Sequence, residues 1–517
     1  MPASSRPSIE ICLLLGAWCL VPGTGGRAEE SAARHAVRFE VRDAKGHPLP
    51  CRIHLAGPTG KPIEAPGLPF FRDHFACDGD VALSLPAGAY RYEIERGPEH
   101  ERASGSFDVE GPRTITVRLG RIADLARDGW FSGDLHIHRP PEDVPLLARA
   151  EDIHIAPVIT WWNARSSWEG RELPRDPLRR LDEGRYIHLM AGEDEREGGA
   201  LLYFGLERPL DIAKASREHP SPLRFVSEAR ALKPDVWIDI EKPFWWDVPA
   251  WIASGRMDSI GIANNHMCRS TMLADEAWGK PRDRVRLPDP LGNGHWTQEI
   301  YYRLLDCGIR IPPSAGSASG VLPNPVGYNR VYVHTGVPLD PAKWWAGLKA
   351  GRSFVTNGPL LLVKANGELP GHVFRMEKGT PLAIEIEASL VSNDSVPAIE
   401  VIRDGRPAGS IEVGGRKADG KKLTVTFERS GWFLVRAIAD EKRTFRFAST
   451  APFWVEASEE GPRVSRSSAR FFVEWVEERI TRVRDAVSSE KELAEVLEHH
   501  ERALAFWKAL RDRATTE

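Results

Sequence analysis

The chain has 517 residues, 42% hydrophobic and 27% charged, with a formal net charge of −4. That length buries more than one core, and the near-balanced charge excludes an electrostatic case for nucleic acid or an anionic membrane surface. Beyond the N-terminal segment, no stretch is long and apolar enough to span a bilayer as a helix.

The chain opens on Arg6 and an apolar run from Ile11 to Val21, too short for a membrane span, followed by small residues up to Ala28. This pattern predicts an export signal over 1–28 and a periplasmic or secreted protein. Trp18 directly before Cys19 is a poor context for lipid modification, which favours a soluble exported form. Cys12 and Cys19 would leave with the signal.

Residues 29–121 read as all-β. Ala36-Val37-Arg38-Phe39-Glu40-Val41 alternates cleanly, and further short strands are separated by turns such as Asp43-Ala44-Lys45-Gly46 and Pro86-Ala87-Gly88. Such spacing predicts a small β-sandwich. Cys51 and Cys77 fall inside it and could pair in an oxidising compartment, while Cys268 and Cys307 are distant in sequence. Its histidines (His47, His54, His74, His100) read as structural or surface residues.

The region 122–370 carries the chemistry. In Gly133-Asp134-Leu135-His136-Ile137-His138 the strand period places His136 and His138 on one face. Their imidazoles, about 6–7 Å apart along the strand, can grip a cation, with Asp134 orienting one from behind. Tyr186-Ile187-His188-Leu189-Met190-Ala191-Gly192 then leads into Glu193-Asp194-Glu195, and Glu193 is the best third ligand. Asp239 and Glu241 share a face of Val236–Lys242, where a buried carboxylate needs a cation or several donors. Asn264 and His266 share a strand exit after Ser259-Ile260-Gly261-Ile262-Ala263. Acids and histidines recurring at successive strand ends point to a metal site. Most of the chain's 17 tryptophans fall in this region. They fill a core or wall a cleft, and aromatic faces suit a small-molecule or carbohydrate-linked substrate.

Residues 371–460 are again strand-rich and predict a second β-sandwich. The tail, 461–517, predicts a helical hairpin: Phe472, Val476, Ile480, Val483 and Val487 recur at helical spacing, and Ser489-Glu490-Lys491-Glu492 makes a capping box for a second helix. The hairpin is expected to pack on its own protein, with His499 and His500 facing solvent.

The 133–138 motif resembles the opening strand of the PHP (polymerase and histidinol phosphatase) superfamily. More narrowly, the chain is similar to CehA/McbA-type metallohydrolases. It shares with them an extended β domain ahead of the metal domain and the stretch Leu348-Lys349-Ala350-Gly351-Arg352-Ser353-Phe354-Val355-Thr356-Asn357-Gly358-Pro359. The resemblance implies a distorted seven-stranded βα barrel carrying one to three divalent ions at its C-terminal strand ends, with a prealbumin-like N-terminal module. The fold class expected overall is multidomain α/β plus all-β: a PHP-like barrel flanked by β-sandwiches, with the helical hairpin behind.

The departures from that family are specific. Trp161 and Trp162 stand where the family has Asp-His at the end of its second strand. Gly316-Ser317-Ala318-Ser319-Gly320 replaces a Gly-Ser-Asp-x-His motif, and Glu241-Lys242-Pro243 replaces a histidine before proline. Indole, alanine and glycine offer no side-chain metal donor. His136, His138 and Glu193 remain, with Glu241 and His266 to complete a shell: enough for one ion and marginal for two.

The expected function is an exported metal-dependent hydrolase of an ester, amide or phosphoester. The ion is zinc by ligand type, with manganese or iron open. Whichever of Glu241 and Asp194 is not a ligand would take the proton, and Lys242, Arg330 or Arg352 would stabilise the oxyanion. The alternative is a catalytically degenerate exported binding or assembly protein with a tryptophan-lined pocket.

Overall fold

The computed structural model describes residues 33–458 and 460–517. The expected export signal, with Cys12 and Cys19, lies outside the described residues. Large β-sheets dominate the described chain, accompanied by seven α-helices. None of its helices is long and apolar enough to cross a membrane.

The N-terminal strands form two sheets. Asp80–Pro86, Arg34–Arg42 and Arg113–Arg118 make one; Phe70–Phe71, His74–Cys77, Cys51–Ala56, Gly88–Glu95 and Ala103–Val109 make the other. Alternation along Arg34–Arg42 buries Val37, Phe39 and Val41, which share a core with Ile53, Leu55, Ile94 and Phe107. Cys51 faces Cys77 across two antiparallel strands, their Sγ atoms 3.8 Å apart as free thiols.

In the central region, Trp130–Gly133 pairs parallel with Ile155–Trp162, and that strand pairs parallel with Arg185–Arg196. Gly199–Phe204 follows, then Trp237–Ile240, Ser259–Ala263 and Pro313–Ala315. Residues 135–138 close the circuit: Leu135 N donates to Ala315 O (3.0 Å), His138 N to Ser319 O (2.8 Å), and Ile159 N to Ile137 O (2.8 Å). Helices Val144–Ala150, Pro222–Leu232, Val248–Ala253 and Gly292–Asp306 occupy the connections. Strands such as Ile155–Trp162 are buried almost throughout, as a sheet covered on both faces requires.

Several strands break the expected strand–helix repeat, Arg165–Ser166 and Leu178–Asp182 among them, each antiparallel to its partner. Gly199–Phe204 runs antiparallel to both neighbours because the chain reverses in a tight hairpin after Arg196. Gly199 takes φ +121°, which favours glycine. A Cβ on Gly198 would lie 2.1 Å from Asp247 Oδ2.

Ser353–Thr356 pairs with both Arg330–His334 and Phe447–Thr450, so hydrogen bonding runs on into the C-terminal strands. There Leu382–Arg403 and Arg406–Phe427 form a long hairpin over a second core. That core also takes in Trp130, Phe354 and the strand Leu360–Ala365, which precedes residue 371.

The tail forms helices Arg466–Ala486 and Glu490–Asp512, with Ser489 accepting from Glu492 N. Phe472 stacks on Trp507 (4.4 Å), whose Nε1 donates to Pro249 O (3.0 Å). Arg479 bonds Asp247 (2.6 Å) and Glu218 (2.9 and 2.5 Å) in a buried cluster. His500 does not face solvent: it is buried in the same cluster, 3.7 Å from Asp247. Helix packing, not residue type, puts it there.

Candidate metal centre

The strand Trp130–Gly133 stops one residue before Asp134, and the ligand-bearing stretch continues extended through a bridge at Ile137. Asp134 accounts for the break. Its carboxylate accepts from His136 N (3.0 Å), Ser317 N (3.0 Å), Ser317 Oγ (2.5 Å) and Gly327 N (2.6 Å). It therefore braces three backbone segments instead of orienting an imidazole.

His136 and His138 do share a face, and Glu193 meets them. The two Nε2 atoms are 2.9 Å apart, and Glu193 Oε2 lies 3.0 Å from His138 Nε2 and 3.5 Å from His136 Nε2. Three ligands of a tetrahedral zinc, at bonds of about 2.1 Å, would be about 3.4 Å apart. Apart from these two imidazoles, buried Glu193 Oε2 has no hydrogen-bond partner among the described residues. A converging donor set around an orphaned carboxylate oxygen fits one cation.

Gly192 positions Glu193. A Cβ there would fall 1.7 Å from the Trp161 ring, so only glycine lets the strand lie flush on that indole. Asn163 ties the strand end from the other side, its Nδ2 donating to Glu195 O (2.7 Å) and its Oδ1 accepting from Glu195 N (2.9 Å). The loop 316–320 presses against the histidines: a Cβ on Gly316 would meet His136 Cβ at 2.4 Å, and one on Gly320 would meet His138 O at 2.7 Å. At Gly316 and Gly320 bare backbone thus comes up to the two imidazoles.

Glu241 lies on the other side of His136, Oε1 being 3.4 Å from Nδ1, so it is placed to orient the ring and not to share an ion with Nε2. Its oxygens also accept from Lys242 Nζ (2.5 and 2.6 Å), Asn265 Nδ2 (2.5 Å) and Trp245 Nε1 (2.9 Å). Lys242 packs 4.5 Å from the Trp245 ring centroid.

Other expected site residues are placed elsewhere. His266 Nδ1 bonds Asp275 O (2.9 Å) and its ring packs on Phe244, outside the group that converges on Glu193. Asp194 projects from the opposite face of its strand into a two-bond pair with Arg196 (2.5 and 2.8 Å), which removes it as a base. Arg330 is buried against Gly327 O (2.5 Å) and Glu151 O (3.0 Å). Arg352 is exposed in the turn before Ser353–Thr356. Neither arginine contacts the histidines.

Burial depresses the His136 imidazole, but Glu193 and Glu241 outweigh it and hold the ring above its ordinary value. Burial prevails at His138, which is lowered. Burial opposes ionisation of Glu193, yet the two imidazoles hold its carboxyl well below the usual range. Burial, reinforced by Lys242, pushes His266 down to about 3.

Three further side chains neighbour the group, and of these Glu195 was given no role by the sequence. Glu195 shares the Glu193 face, accepts from Trp162 Nε1 (3.1 Å) and is pushed up to about 8 by burial and by Glu193 and Glu241. The strand period that selected Glu193 selects it too. Trp162 packs 5.0 Å from the His138 ring. Asp239, bonded to Ser314 Oγ (2.5 Å) and to Ser259 Oγ, is raised to about 7 by burial. Most other tryptophans here, including Trp246, Trp251 and Trp344, are core.

No protein-family model and no curated protein matches the chain. Among solved structures it resembles a pilus-presented adhesin at 14% identity, covering 17% of this chain and 28% of that one, with a TM-score of 0.14. It also resembles fibronectin(III)-like modules of Clostridium thermocellum CbhA (18% identity, 18% of this chain, 96% of that one, TM-score 0.13). A third likeness is to the CARDB domain of a Pyrococcus furiosus protein, solved with two metal ions (20% identity, 19% of this chain, 94% of that one, TM-score 0.14). The chain thus spans just over a quarter of the adhesin. At these scores the likenesses carry nothing about its chemistry.

Proposed function

We propose that the chain is a metal-dependent hydrolase of the PHP superfamily, CehA/McbA type, acting on an ester, amide or phosphoester outside the cytoplasm. One observation carries this reading: His136 Nε2, His138 Nε2 and Glu193 Oε2 converge within 3.5 Å, with the carboxylate oxygen otherwise unpartnered. The strand circuit closed by residues 135–138, which holds them, is in keeping with the barrel expected of that family.

These three residues would hold one divalent ion, zinc by donor type, with manganese and iron accepting the same set. Such an ion supplies Lewis acidity and acidifies water near neutral pH. Glu241 fixes the orientation of His136 through Nδ1. Lys242, Asn265 and Trp245 fix Glu241 in turn. Glu195, on the same face and held by Trp162, is the carboxyl group placed to pass a proton. Gly316 and Gly320 seat backbone against the imidazoles and keep water off that side.

Elemental analysis of the purified chain should find about one zinc, manganese or iron per molecule, and His136→Ala or Glu193→Gln should lose it. A panel of carboxylic esters, amides and phosphoesters should reveal turnover that both variants abolish. Absence of stoichiometric metal after reconstitution would sink the reading. An exported binding protein is the second reading, favoured by the Lys242 ammonium bonded to both Glu241 oxygens. It expects bound metal with no turnover across the panel.

A further inference from the structure

Arg330, expected at the metal centre, instead reaches a cavity of about 60 Å³ that the N-terminal sandwich, the central sheet and the C-terminal strands enclose together. That is several times the roughly 10–15 Å³ one water needs. Five guanidinium groups line the cavity: Arg52, Arg102, Arg269, Arg330 and Arg446.

Four of the five are matched. Arg52 pairs with Glu95 and Glu151, Arg102 with Glu95 and Asp394, Arg269 with Glu93 and Glu95, and Arg446 with Asp394. Arg330 alone among them touches no carboxylate. It donates to the Gly327 and Glu151 carbonyls, and its Nη1 is buried with no acceptor among the described residues. Its side chain is 1% exposed. Gly97, at φ +57°, leaves the guanidinium uncovered, since a Cβ there would stand 3.1 Å from both Nη atoms.

A buried cation with an unused N–H and no carboxylate in contact is costly, and a planar guanidinium pairs best with an oxyanion. We propose that this junction binds a small oxyanion, a phosphate, sulfate or carboxylate group, on Arg330. Bound there, the anion would tie the three strand assemblies together. The site is separate from the metal centre and does not depend on the hydrolase reading.

The test is calorimetric titration of the full chain, treated with chelator, with inorganic phosphate, sulfate and acetate against chloride at constant ionic strength. At least one oxyanion should bind one to one and raise the melting temperature. Arg330→Met should weaken binding at least tenfold, while His136→Ala should leave it unchanged. Arg102→Met, at a partly exposed lining position, serves if Arg330→Met does not fold, and should weaken binding severalfold. No binding of any oxyanion to the wild type, equal binding by the arginine variants, or loss of binding in His136→Ala would each overturn the proposal.

Discussion

His136 Nε2 and His138 Nε2 face one another at 2.9 Å. One proton at most fits between them, so at least one imidazole lone pair points at the other. With the Glu193 oxygen beside both, the triangle is held by the Asp134 brace and the Gly192–Trp161 contact beneath it.

The Glu241 contact to His136 Nδ1 should be felt as metal affinity. Replacing Glu241 with Gln keeps the shape but removes the charge that orients the ring. Affinity should fall about 10–100-fold, measured by competition with a chelating dye. A circular dichroism spectrum matching the wild type would show that the fold is retained. Unchanged affinity would mean that Glu241 serves only Lys242, Asn265 and Trp245.

Gly192→Ala should damage fold and site together. The added methyl group meets the Trp161 ring far inside contact distance, and overpacking of this kind costs about 1–3 kcal/mol or more. Denaturant unfolding should show that loss. Metal content should drop with it, because Glu193 is the next residue.

Arg479→Met should remove the buried bonds to Asp247 and Glu218 and leave both acids uncompensated. A loss of about 3–5 kcal/mol is expected, seen as a lower denaturation midpoint. A variant as stable as the wild type would place the cluster outside the cooperative core.

His154 sets a pH dependence. Its Nδ1 accepts from Ser132 N (3.2 Å), with Ser132 Oγ at 2.9 Å. Burial, with Arg185, Arg330 and Arg121 nearby and Asp152 opposing them, lowers it to about 4. A folded-state value below the unfolded one, about 6.5, means that the unfolded chain binds the proton first. The contribution to stability is therefore present above pH 6.5 and lost as the pH falls from there toward 4, by about 3 kcal/mol in all. His154→Gln should flatten the decline between those limits in denaturant titrations.

Strand alternation made the core of the site legible: it put His136 with His138 and singled out Glu193, and applied one step further it reaches Glu195. Long-range partners were not legible. Asp134 is taken up by Ser317 and Gly327, and Arg330 by Glu151, across separations of 179 to 193 residues. His266 looked like a ligand because its strand end carries an alternating pair, but the Asp275 carbonyl claims its Nδ1. Local hairpin chemistry also escaped. Nothing in Glu197-Gly198-Gly199 announced a strand reversed against its neighbours. In the tail, helical spacing and the Ser489 cap were readable, while the burial of His500 depended on the helix it meets.

The Trp507–Pro249 and Arg479–Asp247 bonds join the tail to the helix that directly follows the Glu241–Trp246 segment. The hairpin is thereby a buttress for the wall of the metal centre, not a trailing appendage. A shortened chain ending ahead of Arg466 would lay bare the indoles of Trp246 and Trp251 and strand Asp247 without its cation. Loss of the ligands' footing would follow from a cut made far from any of them.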